Sequence, residues 1–119
     1  MKKITLLLFI LMAFACEKKT ASSAKPSTIY ISGQVLHKVG LTAFDSVYVG
    51  LEFEKGVCVG CIAQEKEHQY TNKTGNFNFT LNPESGYSYH LNFESAHSTD
   101  NRSISLDESH QTFTVSLGN

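Results

Sequence analysis

The chain has 119 residues, ten Lys and Arg against eleven Asp and Glu, a formal charge of -1 and no tryptophan. That length accommodates one ordinary domain and leaves little room for a second. The near-neutral balance offers no basic stripe of the kind a nucleic-acid surface needs, and missing tryptophan removes the commonest stacking platform for sugars, although five tyrosines remain.

The first segment is built like an export signal. Lys2 and Lys3 are followed by an apolar run from Ile4 to Phe14 and then by Ala13-Phe14-Ala15-Cys16. The run is shorter than the roughly 20 residues a membrane-crossing helix requires, so residues 1–15 are read as a signal peptide and excluded from the fold. The cut region fits a plain A-x-A site. It also resembles the bacterial lipobox, in which the cysteine becomes the new N-terminus and is acylated on sulfur. The resemblance departs from the commonest form at Ala13, where Leu is usual. Residues 17–26, EKKTASSAKP, have no apolar period and cannot bury enough surface to offset chain entropy, so residues 16–27 are expected to be a lipidated cysteine on a flexible tether. A secreted protein with Cys16 as a free thiol is the competing reading. By the sorting rule that accompanies the lipobox, Glu17 in place of Asp implies the outer membrane. Loss of Lys2 and Lys3 with the signal takes the mature chain from -1 to -3.

From Thr28 the pattern changes to alternation with period two, the mark of half-buried strands. Ile29, Ile31, Gly33 and Val35 share one face of a strand over 28–36, with Tyr30, Ser32 and Gln34 on the other. Val47, Val49, Leu51 and Phe53 alternate with Tyr48, Gly50 and Glu52 in a second. The pattern fades through the cysteine segment and Glu65-Lys66-Glu67, then recovers near His68 to Thr71. Asn72-Lys73-Thr74-Gly75 has turn composition, and Phe77, Phe79 and Leu81 point inward after it. A second turn at 82–86 precedes Tyr87, Tyr89, Leu91 and Phe93. Residues 95–102 read as a polar loop, Ile104 and Leu106 as a short strand, and Phe113, Val115 and Leu117 as the last one. No sustained 3.6-residue period follows the signal. The expectation is an all-β domain over 28–119, a sandwich of about seven strands with an Ig-like, prealbumin-like arrangement.

Three stretches carry a resemblance to a known family: Ile31-Ser32-Gly33-Gln34-Val35, the Val47 to Phe53 strand, and Tyr70-Thr71-Asn72-Lys73-Thr74-Gly75-Asn76-Phe77-Asn78-Phe79 with Gly86-Tyr87 following. Together they resemble the carboxypeptidase regulatory-like or transthyretin-like β-sandwich domains of bacterial envelope proteins. The chain departs from that family in having Thr42-Ala43-Phe44-Asp45-Ser46 where a Pro-Gly linker is common, and in its CVGC segment. The resemblance implies an accessory, spacer or binding module without catalysis. That inference is analogy at the level of fold.

Candidate sites are few. With Cys16 assigned to lipid, Cys58 and Cys61 remain as a pair in an export context, for which a disulfide closing a tight turn at Val59-Gly60 is the default expectation. The same CxxC spacing serves thioredoxin-like enzymes and half of a zinc site, and the nearby donor for a metal is His68. His37, His68, His90, His97 and His110 could join copper or zinc only if the strands gather them; His90 and His110 fall on outward faces. Tyr30 and Tyr48 also point outward, on strands that could be neighbours, and would then form an aromatic platform for a glycan or peptide. Cross-strand pairing alone accounts for them equally well. Asn72, Asn78 and Asn101 head Asn-x-Ser/Thr sequons, which in a bacterial context read as turn and surface chemistry. No Ser/His/Asp grouping and no phosphate-cradling glycine loop is recognisable, so neither an enzyme nor a cofactor is expected. The expected partners are the membrane, through the lipid, and a glycan, peptide or envelope protein. A metal-handling or thiol-redox lipoprotein is the alternative.

Overall fold

The computed structural model describes residues 25–56 and 62–118. Over that range the chain is all-β, with seven strands: β1 (Ile29–His37), β2 (Tyr48–Lys55), β3 (Gln64–Tyr70), β4 (Asn76–Leu81), β5 (Tyr87–Glu94), β6 (Thr99–Ser103) and β7 (His110–Leu117). They form a three-stranded sheet, β4-β1-β7, and a four-stranded sheet, β3-β2-β5-β6. All neighbouring strands run antiparallel except β1 and β7, whose parallel register runs from Tyr30 opposite His110 to His37 opposite Leu117.

The period-two alternation becomes burial with little loss. β4 alternates exposed and buried at every position, so Phe77, Phe79 and Leu81 enter the core while Asn76, Asn78 and Thr80 face solvent. Ile29, Ile31 and Val35 of β1 and Val115 and Leu117 of β7 lie on one side of that core, against Val49, Leu51, Leu91 and Phe93 of the other sheet. Phe77 and Phe93 meet across the sandwich edge to face, with ring centroids 5.4 Å apart. Burying an aliphatic or aromatic side chain contributes about 1.5–3 kcal/mol each, and this layer is the main stabilising element of the domain.

The segment between β3 and β4 takes the chain from one sheet to the other and is pinned by polar side chains. Asn72 Oδ1 accepts from the Thr74 and Asn76 backbone N–H groups at 3.1 and 2.9 Å, closing the turn. Thr71 is buried; its Oγ1 accepts from the Val47 N–H at 2.9 Å and donates to the Phe44 carbonyl at 2.6 Å. A Thr71→Val variant keeps the shape but strands both partners, and leaving buried polar groups unsatisfied costs about 1–3 kcal/mol. Urea unfolding should show a loss of that size with the slope unchanged; no loss would mean that water takes over both bonds.

Two edge strands depart from expectation. Residues 95–102, read as a loop, contain most of β6, and Ile104 and Leu106, read as a strand, lie outside the strands. β6 pairs on one side only, with β5, and is largely exposed, so its sequence Thr-Asp-Asn-Arg-Ser carries no apolar alternation. Ile104, the first residue past it, is buried and donates its N–H to the Tyr89 carbonyl at 3.0 Å. β3 likewise begins at Gln64, ahead of the expected His68, through Glu65-Lys66-Glu67. Charge along an exposed edge hides the strand from pattern reading and also blocks stray pairing. The signal-peptide assignment, the tether through residue 24 and the CVGC assignment, including Cys16, Cys58 and Cys61, lie outside the described residues.

Candidate functional site

The two outward sheet faces differ in chemistry. On the four-stranded sheet, Tyr48 of β2 stands opposite Tyr70 of β3, and Gly50 stands opposite His68. With no side chain at Gly50, the Tyr48 ring lies across it; a Cβ there would come within 2.7 Å of the Tyr48 hydroxyl. That placement lets the hydroxyl donate to Glu65, whose same oxygen lies 3.2 Å from His68 Nδ1. Tyr48 stacks on His68 with centroids 5.4 Å apart, and Tyr70 closes the group edge to face at 6.0 Å from Tyr48 and 5.9 Å from His68.

The electrostatics follow from this geometry. The hydrogen bond from Tyr48 holds the Glu65 carboxyl below its ordinary range, and His68 adds to the effect. Reciprocally, the bond to Glu65, partial burial and the negative charges of Glu65, Glu52 and Glu94 push the Tyr48 phenol well above its ordinary value. A phenol so raised stays protonated as a donor and is a poor general base. One strand further, His90 Nε2 lies 2.8 Å from Glu52 Oε1 as a half-buried cross-strand pair.

The three-stranded sheet presents something else. Tyr30 is half exposed, and its ring stacks on His110 of β7, its parallel-register partner, at 5.1 Å. Beyond this pair the outward positions are Ser32, Gln34, Leu36, Asn76, Asn78, Thr80, Thr112, Thr114 and Ser116.

Tyr30 and Tyr48, which would form one platform only if their strands were neighbours, are separated: β1 and β2 belong to different sheets, and the two rings project from opposite outer faces. The alternation correctly gave their outward direction, but which strands pair depends on contacts distant in sequence. His68, named beside Cys58 and Cys61 as a metal donor, is occupied with Glu65 and Tyr48. Among the described residues no three His, Cys, Asp or Glu side chains converge on one point. His90 goes to Glu52 and His110 to Tyr30, so the histidines are distributed over both faces. Sequence reasoning missed Glu65 and Tyr70; the available signal was Gly50 between Tyr48 and Glu52 on an otherwise regular strand, which marks a place where a neighbouring ring can lie flat.

No family model and no curated protein matches the chain. Among solved structures, a 9R-lipoxygenase from Cyanothece PCC8801 is similar at 14% identity and a TM-score of 0.48, over 85% of this chain and 20% of that one. This chain thus spans about one fifth of the length of the lipoxygenase chain it matches.

Proposed function

We propose that the chain is a lipid-anchored lipoprotein of the bacterial cell envelope, attached through Cys16, whose sandwich is a non-enzymatic binding or scaffolding module for a glycan, a peptide or a partner envelope protein. Glu17 after the cysteine favours the outer membrane. The observation that carries the reading is the order of parts: an export-type leader, Ala15-Cys16, a polar leash, and then a sandwich whose distinctive side chains lock onto one another on open faces. Tyr48, Glu65 and His68 engage one another through hydrogen bonding and stacking, as a structural surface cluster does. A reactive site would instead leave a group aimed at an incoming atom. The likeness of residues 28–94 to transthyretin-like envelope domains supports the same reading.

Chemical cross-linking in intact cells, followed by recovery of the chain and mass spectrometry, tests it together with metal analysis of the purified protein. A reproducible envelope partner or attached glycan is the expected result. Stoichiometric copper or zinc with no cross-linked partner would overturn the reading in favour of metal handling.

A further inference from the structure

None of the residues of β1, β4 and β7 is Asp, Glu, Lys or Arg, whereas every strand of the other sheet carries formal charge. The consequence is an outward face of hydroxyls, amides and the Tyr30–His110 pair, with Leu36 at the far end of β1 as its one aliphatic position. Such a face is unusual for a surface whose only task is to stay solvated, because solubility and protection against edge pairing are normally secured by charge. Asn is also a poor strand former, yet Asn76 and Asn78 occupy successive outward positions of β4.

Those amides are held in place. The Gln69 side chain reaches over from β3, accepting from the Asn78 N–H at 2.8 Å and donating to the Asn78 carbonyl, so the backbone under Asn78 is clamped on its open side. Asn76 donates from Nδ2 to Thr74 Oγ1 at 2.9 Å, and Gln34 Nε2 donates to the Thr74 carbonyl at 2.9 Å. Both of these bonds use the amide nitrogen. Two adjoining open depressions, of about 450 and 320 Å³, run along this face and share Ser32, Asn78 and Thr112; the second ends at the Tyr30–His110 pair. From Gln34 to Tyr30 the tract is four residue steps long, about 13 Å at the usual rise per residue.

We infer that this face binds a neutral glycan, laid along β1 with a sugar ring against Tyr30. Sugar hydroxyls both donate and accept, and Ser, Thr, Asn and Gln offer both functions without the desolvation cost of a charge. The aromatic ring supplies the apolar surface that the C–H face of a pyranose requires. An anionic polymer finds no Lys or Arg on these strands, and a protein interface would place aromatic and apolar groups at its centre where this tract has Ser32, Asn78 and Thr112. The inference rests on the binding-module reading and names the ligand class and the face.

The test is retention of the full chain, purified in detergent, on immobilised neutral polysaccharides (xyloglucan, mannan, dextran, chitin) alongside anionic alginate and polygalacturonate, at low and high salt. At least one neutral polymer should retain it equally at both salt concentrations, with affinity falling about tenfold in Tyr30→Ala and measurably in Asn78→Ala. Both side chains are exposed, so the variants should fold, which circular dichroism verifies. Retention on anionic polymers alone, or its loss at high salt, overturns the inference. So does loss of binding in Tyr70→Ala but not Tyr30→Ala, which would move the site to the other sheet and leave the module reading intact. No retention on any neutral polymer, with a cross-linked protein partner or a dimer through β7 recovered instead, overturns the glycan and keeps the module. Failure of both experiments removes both readings.

Discussion

A Cys16→Ser variant is expected to lose all fatty-acid labelling, and with it the stable attachment of the processed domain to the membrane. The sulfur is the acyl acceptor in the proposed anchor, and a serine hydroxyl does not replace it there. Each buried methylene contributes about 0.8 kcal/mol; one myristoyl-length chain binds marginally and two hold stably, so removing the acceptor abolishes the anchor outright. Labelling with a clickable palmitate analogue is the direct readout, because an unprocessed precursor remains at the membrane through its apolar run from Ile4 to Phe14. A second variant removes that ambiguity. With residues 1–15 replaced by a leader cleaved without lipidation, and Cys16→Ser retained, the domain should appear in the soluble fraction. Continued labelling and membrane retention in both variants would sink the anchor and with it the localisation.

How much of this protein is legible in its residues depends on whether a feature is local. β4 and β5 are readable because each alternates apolar and polar residues along its length and buries one face in the core. The Asn72 to Gly75 turn is readable because its chemistry is satisfied within a few residues. β3 and β6 are not, since both strands lie almost wholly exposed and bury no alternating face, and their charges serve to keep other chains away.

The candidate sites divide along the same line. Outward direction is a local property, and Tyr30, Tyr48, His90 and His110 all point out as the alternation requires. Partnership is not local. Tyr48 meets Glu65 and His68 through the β2–β3 register, which shifts between Leu51 and Glu52, a bulge no pattern of apolar residues announces. Tyr30 meets His110 through a parallel pairing of the first and last strands, the contact with the largest sequence separation in the sandwich. The uncharged three-stranded sheet, by contrast, is written in the composition of its three segments, which are free of Asp, Glu, Lys and Arg. Only the knowledge that they lie side by side turns that composition into a surface.

Gly75→Ala is expected to be among the most destabilising single-methyl additions in the domain, by about 3 kcal/mol or more. Two penalties combine there. Gly75 has φ +75°, a left-handed conformation that costs an L-residue about 1–2 kcal/mol. It is also buried where the crossing segment meets β1: a Cβ would lie 2.4 Å from the Val35 carbonyl oxygen and 3.2 Å from the Phe44 nitrogen, both backbone atoms that no rotamer change can move aside. Relief requires shifting the Gly75 carbonyl, which accepts from the Val35 N–H at 2.8 Å, and the Phe44 N–H, which donates to the Val35 carbonyl at 2.9 Å. The first bond ties the turn to β1 and the second ties the connection between β1 and β2 to the same residue. Gly86→Ala provides the control, since Gly86 has φ +86° but nothing within 4 Å of an added methyl, leaving only the conformational penalty. In a domain of this size each kcal/mol lowers Tm by roughly 4–8 °C, so thermal unfolding should separate the two variants clearly. Equal shifts would show that the contact with Val35 relaxes at no cost, and the turn would then owe its glycine to backbone conformation alone.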